Sequence, residues 1–502
     1  MKKRCLLLSL CSLFVMAGCG ETNNGDGSNS YVDTTLPTDD PTSEVEIKFW
    51  HCLGHDKEEN LNKIVNSFNT KYAGKYKVTL NKVAGDYDAL NDAVKTKLAS
   101  GEVPALTMGY PDSFASYMGS TLSDSNILRL NNFINDENYG YSQDELDDFV
   151  DEYLKEGNDY TFNGYWSMPM YKSTEVLYYN VNYFYGDNEQ NDKLFASSSE
   201  YSSLKKKIAS ATPAQEDLDA LKNFVTSHKG YTYDLPVTWD DMVSVSKKMI
   251  ADRNTMNVTN EFYPLGYDSD ANLFISQFAQ RNIDYTTELS DTKEGHFLFN
   301  NDKAKALTQE IVDLVNDKVL ITKGTLGGSK YTSTYFNEAK LAMSVGSTGG
   351  SSYQVSANFK VGLGAVPYKN QQKYIMQGPS ICFFNNNNNY IHKGAWLFYK
   401  EMAAPEANCA LALENSYDPI RKSSYETTQY KNWIALAGRG TLSYDIPAIT
   451  STLKDYYFTS PSFVGSGTAR TEIGKLLQYT VNSKMSIDQA FETVYNACIM
   501  AA

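Results

Sequence analysis

The stretch Tyr165–Phe184 reads YWSMPMYKSTEVLYYNVNYF, and its interpretation decides the fold. Met168-Pro169-Met170 holds the backbone extended, because proline fixes its own φ and pushes the residue before it out of the helical region. Ser173 and Thr174 follow as small polar residues. Val176-Leu177-Tyr178-Tyr179 is then a continuous apolar and aromatic run of the kind found in strands buried on both faces. A polar break inside a buried extended segment suits two structures. One is a single buried strand with a solvated kink. The other is a strand that leaves one lobe, crosses a cleft and enters a second. The stretch alone does not choose between them.

Upstream, Glu44–Trp50 (EVEIKFW) alternates apolar Val45, Ile47 and Phe49, which predicts a strand. From Lys57 the period becomes helical, with Leu61, Ile64, Val65 and Phe68 on one face. Lys75–Val83 is a second strand, Asp86–Ser100 a second helix stopped by Gly101, and Pro104–Gly109 a third strand. This alternation argues a parallel α/β sheet with right-handed crossovers. Ligands of such sheets sit beyond the carboxyl ends of the strands. Those ends are His51, Gly85-Asp86-Tyr87 and Gly109-Tyr110-Pro111-Asp112.

Downstream, residues 187–235 form a polar, helix-prone insertion with little apolar material, expected as surface decoration. Thr238 is placed to cap a helix beginning at Trp239, a tryptophan expected in the core. An amphipathic helix lies within Phe297–Leu320, and Phe336–Met343 leads into a strand that ends in the small-residue loop Ser344–Gly350. Val361–Pro367 and Ile375–Phe384 are extended, His392–Leu413 and Ser486–Ala497 helical.

At 502 residues the chain exceeds a single core, so two or three domains are expected. Lys2, Lys3 and Arg4 precede a short apolar run, Cys5–Met16, which reads as an export signal. Ala17-Gly18-Cys19 resembles the lipobox of bacterial lipoproteins. The resemblance implies removal of residues 1–18 and lipid attachment at Cys19, with several acyl chains for a stable anchor. Residues 19–44, rich in Gly, Asn, Ser, Thr and Asp, are expected as a disordered tether. The formal net charge is −15, and removing the signal deletes three positive charges more, which disfavours nucleic acid as a partner. Cys52, Cys382, Cys409 and Cys498 are scattered, with neither zinc spacing nor a disulfide framework.

Seven blocks in order carry a wider resemblance: IKFWH, VPALTMGYPD, SMPMYKSTEVLYYN, TWDDMVSVSKKM, YFNEAKLAMSVGS, the region from GAWLFYKEM to YDPIRKS, and SIDQAFETV. They resemble the family 1 extracellular solute-binding proteins of ABC importers, the group of the maltose and glycerol-3-phosphate binding proteins. The resemblance implies an α/β, two-lobed periplasmic-binding-protein type II fold, each lobe a mixed sheet flanked by helices, joined by crossing hinge strands. It therefore selects the crossing for Tyr165–Phe184. The implied division is 45–170 with 368–415 for the N-lobe and 171–367 with 416–502 for the C-lobe. Further crossings are expected near Pro367 and near Tyr417-Asp418-Pro419.

Site residues follow only where motifs match. Tyr87, in the Gly-Asp-Tyr turn, Ser173 at the crossing, Ser347 after the Ala-Met strand, Gly378 in the returning strand and Tyr417 before Asp-Pro match ligand positions of the glycerol-3-phosphate branch. Tyr110 and Asp112 stand where that branch has a Tyr followed by a carboxylate, but Pro111 intervenes. An arginine expected near PSFVGSGTAR is displaced to Arg470. These departures weigh against a phosphate and favour a neutral sugar, whose hydroxyls suit Ser and Asp and whose ring faces suit tyrosine. The resemblance further implies a monomer that passes its solute to ABC permease subunits, with no cofactor, metal or catalytic residue. The rival of another class is a lipid-anchored glycan-degrading hydrolase, for which no barrel repeat or Gly-x-Ser-x-Gly elbow is found. His51 and His55 have metal-like spacing, but no third ligand accompanies them.

Overall fold

The computed structural model describes residues 33–502 except 55, 56, 120, 123, 124 and 329; the signal and Cys19 lie outside these residues. The chain is a mixed α/β protein of two lobes, each a sheet flanked by helices. Its strands are β1 (Val45–His51), β2 (Tyr76–Lys82), β3 (Leu106–Gly109), β4 (Met168–Pro169), β5 (Ser173–Asn180), β6 (Tyr263–Tyr267), β7 (Leu320–Thr322), β8 (Leu341–Ser347), β9 (Val361–Gly364), β10 (Tyr374–Gln377), β11 (Ser380–Phe383) and β12 (Tyr457–Phe458). The first sheet has the order β2-β1-β3-β11-β4. Its first three strands are parallel, as the strand–helix alternation predicts, and β11 runs antiparallel between β3 and β4. The second has the order β12-β10-β5-β8-β6-β7, with β9 also on β5.

The opening stretch is indeed shared. Met168–Pro169 pairs with the first sheet, and four residues later Ser173 begins β5, the central strand of the second. Val176, Leu177 and Tyr178 are inaccessible to solvent, which explains their unbroken apolar run. A second passage joins β10 to β11 through Gly378-Pro379. This differs from the expectation near Pro367: β10 pairs with Ser173 and Thr174, so residues 374–377 build the second sheet. Pro367 ends an extended segment without changing sheet, since Tyr368 still bridges Thr238. A third segment, Tyr417-Asp418, lies along the first passage. Asp418 N donates to Lys172 O at 2.6 Å and Lys172 N to Asp418 O at 3.1 Å.

One further expectation is corrected. Residues 33–44 are packed against the first-sheet side rather than tethering freely. Arg129 grips Asp33 with Nε and Nη2 at 2.7 and 2.8 Å, Leu36 is buried, and the buried Lys393 donates to Asp39 O and Asp40 Oδ1. Composition hid this, because one leucine and three aspartates do the anchoring. A chain beginning at Val45 is therefore expected to unfold at lower urea than one beginning at Asp33. Burial of Leu36 alone is worth about 1.5–3 kcal/mol; coincident midpoints would refute the docking. The insertion is helical as expected, with helices Glu189–Leu194, Ser199–Ile208 and Gln215–Ser227, and its Tyr201, Ile208, Leu218, Leu221, Phe224 and Val225 share a buried cluster with Val181 at the end of β5. Its few apolar residues recur at three- and four-residue spacing, so they suffice for one packed face.

Trp239 is buried, with Nε1 donating to Glu310. Cys382, Cys409 and Cys498 are buried free thiols. Among the described residues no helix is long and apolar enough to cross a membrane.

Candidate functional site

The loops after β2 and β3 deliver Tyr87 and Tyr110, whose ring centroids lie 4.6 Å apart. Tyr87 opens helix Tyr87–Ala99, whose cap Asp86 accepts from Ala89 N. Tyr110 precedes helix Pro111–Met118, with proline in the first turn where its missing N–H costs nothing. The first passage supplies Tyr171 and the third Tyr417, 4.3 Å apart ring to ring. Tyr417 also packs against Gly349, where a Cβ would stand 2.5 Å from the ring, so only glycine admits it. Burial pushes the Tyr417 hydroxyl up to about 12, while a hydrogen bond from Tyr87 acts the other way. Four tyrosines from separate segments thus form one aromatic group.

Hydroxyls flank it. Ser173 Oγ and Ser347 Oγ approach to 3.4 Å across β5 and β8. Ser347 Oγ accepts from Gly349 N, and Tyr178 OH donates to Ser347 O. Lys57, on the first-sheet side, donates from Nζ to Gly349 O at 3.0 Å and so spans the cleft; burial draws its ammonium below the usual range.

Beneath the serines sits Glu175, on β5 opposite Ser347. Its carboxylate accepts from Tyr267 OH and Asn272 Nδ2, both at 2.6 Å, and Arg470 Nη2 donates in turn to Asn272 Oδ1. Burial raises the Glu175 carboxyl to about 7, against the two hydrogen bonds that lower it. The unfolded chain gives up this proton near the ordinary carboxyl value of 4.5, before the folded chain does. Stability attributable to Glu175 is therefore full below that value, falls as pH rises toward 7 and is flat above. A shift of this size corresponds to about 3 kcal/mol. Glu175→Gln, which keeps the shape of the neutral acid, is expected to flatten this slope. Urea unfolding of both proteins at pH 4.5, 6 and 8 checks it, and parallel pH profiles would count against it.

The remaining candidates divide. Asp112 lies with Tyr110, Gln377 and Arg470 in a neighbouring cavity of about 70 Å³. Its Oδ1 accepts from Ser113 N, and a Cβ on Gly467 of helix Ser466–Ile473 would stand 3.8 Å from its backbone oxygen. Gly378 instead turns the second passage: a Cβ there would stand 2.6 Å from Tyr171 O. Displacement along the sequence does not remove Arg470, because helix Ser466–Ile473 carries it to the cavity wall. Tyr171, Lys57, Gln377 and Glu175 escaped sequence reasoning. Tyr171 and Gln377 adjoin residues already singled out and Glu175 lies two residues from Ser173 in a quoted block, whereas Lys57 lies in none of the quoted blocks. Among the described residues no group of three or more His, Cys, Asp or Glu is arranged to hold a metal ion.

A family model for bacterial extracellular solute-binding proteins matches residues 63–438. An arabinooligosaccharide-binding protein of Bacillus subtilis (strain 168) is 23% identical over 340 residues, 66% of this chain and 58% of its own length. The match thus spans little more than half of that curated relative. Among solved structures, the GacH receptor of Streptomyces glaucescens GLA.O, known unliganded and with acarbose, has a TM-score of 0.63 at 14% identity, covering 91% of this chain and 97% of that one. An ABC substrate-binding protein of Listeria monocytogenes in complex with cycloalternan gives 0.64 at 14% identity, over 91% and 98%. UgpB of Mycobacterium tuberculosis in complex with glycerophosphocholine gives 0.63 at 15% identity, also over 91% and 98%. At these identities the likeness is one of fold.

Proposed function

The chain belongs to the bacterial extracellular solute-binding proteins, and from that premise we propose that it captures a neutral oligosaccharide between its lobes and passes it to the permease of an ABC importer. The observation that carries this reading is the meeting of Tyr87, Tyr110, Tyr171 and Tyr417 beside the Ser173–Ser347 pair. Tyrosine faces suit the C–H faces of sugar rings, and serine hydroxyls suit their hydroxyls. Residues 45–170 with 378–415 form the first lobe, and residues 171–377 with 416–502 the second. A ligand touching both lobes favours their closure by population shift. The protein acts without catalysis, as a monomer held to the outer face of the cytoplasmic membrane through lipid on Cys19.

A glycerophosphodiester is the second reading, and Arg470 is the observation in its favour. One nitrogen of Arg470 is already engaged by Asn272, and Asp88 and Asp112 nearby would repel a phosphate that approached it. Tyr87→Ala and Tyr417→Ala are each expected to weaken oligosaccharide binding about tenfold to a hundredfold, the range of a central aromatic anchor. Calorimetric titration measures this, with unfolding of each variant as control. Affinities equal to the parent's would remove the tyrosine group from the site. A saccharide cleaved on incubation would favour the hydrolase.

A further inference from the structure

The docked segment 33–44 has its partners in the first lobe. Arg129 grips the Asp33 carboxylate at one end, and Tyr139 OH donates to Thr38 O at 3.0 Å in the middle. Tyr390 OH donates to Asp39 Oδ2 at 2.8 Å, while Lys393 donates to Asp39 O at 2.9 Å and to Asp40 Oδ1 at 3.2 Å. Lys75 Nζ reaches Asp40 Oδ2 at 2.6 Å, and Gly74 N donates to Glu44 Oε2 at 3.3 Å where the segment enters β1. An exposed ion pair alone holds little. Two features hold more. Leu36 is buried, and the inaccessible ammonium of Lys393 would be left with Tyr139 OH if the segment came away.

We propose that residues 33–44 are an orienting strap, which moves the pull of the lipid anchor from the start of β1 to the Arg129 side of the first lobe and keeps that side toward the membrane. The inference rests on the anchor at Cys19 proposed above, and adds which lobe it holds and how the receptor faces.

The lengths decide the matter. Fourteen residues lead from Cys19 to Asp33, and a chain spans at most about 3.3–3.6 Å per residue. Asp33 therefore stands no farther than about 46–50 Å from the lipid, however those residues are arranged. Counted to Val45, the limit for 26 residues would be about 86–94 Å. A compact body of the 470 residues from Asp33 to Ala502 has a radius of gyration of about 23 Å, hence a diameter of about 60 Å. That diameter falls between the two limits. With the strap docked, the molecule cannot turn over so that its whole depth lies between Asp33 and the membrane; with the strap free, it can. Because the strap grips the first lobe, closure moves the second lobe relative to the membrane.

The test uses the full chain, produced with its signal, purified from membranes and returned to liposomes that carry acceptor-labelled lipid. A donor dye is placed through Asn163→Cys, an exposed position whose carbonyl accepts from Arg129 Nη1. Native thiols do not compete for it: Cys382, Cys409 and Cys498 are buried, and burial pushes the Cys52 thiol up to about 12. Single-molecule energy transfer then reads the distance of the dye from the bilayer. With the strap intact, one population of high transfer is expected. Two variants are each expected to add a population of low transfer, out to about twice the distance. One is Leu36→Asp, which releases the strap. The other inserts twelve Gly and Ser residues between positions 32 and 33, which lengthens the chain and leaves the strap and its stabilising contacts in place. Transfer in the insertion protein equal to the parent's, or a low-transfer population already present in the parent, would overturn the proposal. An N-terminal peptide whose mass shows no lipid on Cys19 would overturn the anchor and the strap's role with it. Capture of a saccharide, read by titration, stands or falls independently of both.

Discussion

Replacing Lys172 by methionine is expected to destabilise the fold by about 3–5 kcal/mol, the usual cost of leaving a buried charge without its partner. Lys172 is inaccessible to solvent. Its ammonium meets the Glu156 carboxylate and donates to Ser380 Oγ at 2.9 Å and Gly378 O at 3.3 Å; Ser380 Oγ donates to the same Glu156 oxygen. Burial pulls the Lys172 ammonium down, and Glu156 holds it up. The four groups belong to the first passage, the second passage and the short 3₁₀ turn Glu156–Asn158, so one ammonium stitches together the segments between the lobes. Methionine fills the space but strands the carboxylate with Ser380 alone. Glu156→Gln combined with Lys172→Met removes both charges and is expected to recover most of the loss, since replacing a whole buried pair is often neutral. Urea unfolding of the two single variants and the double variant decides. Additive losses would mean that the pair is not coupled.

The second large effect is expected at Gly378. Its φ is +99°, a region that L side chains rarely enter, and a Cβ there would stand 2.6 Å from Tyr171 O and 2.9 Å from Lys172 Cα. Both obstacles are backbone of the adjacent passage and cannot swing aside. Backbone strain of about 1–3 kcal/mol and a forced displacement of similar size both oppose Gly378→Ala. The variant is therefore expected to lose at least about 2 kcal/mol of stability. The resemblance alone would make Gly378 a ligand position, where alanine lowers affinity and leaves unfolding unchanged. Measuring both quantities on this variant separates the two roles, and unchanged unfolding would contradict the packing described here.

These residues also show what a sequence can disclose. The first sheet was legible because β1, β2 and β3 alternate with helices of clear period; at Tyr165–Phe184, Pro169 and Ser173 marked a break in an apolar run, and only the family resemblance made that break a crossing. The second passage was misplaced at Pro367 because a proline marks a break without saying whether the chain changes sheet; the true turn lies at Gly378-Pro379. Residues 33–44 looked like a tether because composition counts residues, whereas the docking depends on a few well-placed ones such as Leu36 and Asp33. At the site, the chosen tyrosines were findable through strand ends and family motifs. Lys57 was not, since no local pattern marks a lysine whose partner, Gly349 O, lies 292 residues away. Arg470 was discounted by its distance along the chain, which a helical turn makes irrelevant.

Capture of a neutral oligosaccharide that is left intact has a direct thermodynamic signature. Thermal unfolding of the purified protein, with and without maltotriose and α-1,5-linked arabinotriose, tests it most directly. A ligand present at a hundred times its dissociation constant adds about 2.7 kcal/mol of stability. The unfolding temperature is expected to rise with one of these saccharides, and that saccharide to be recovered unaltered. A rise with glycerophosphocholine alone, or a saccharide that returns cleaved, would contradict it.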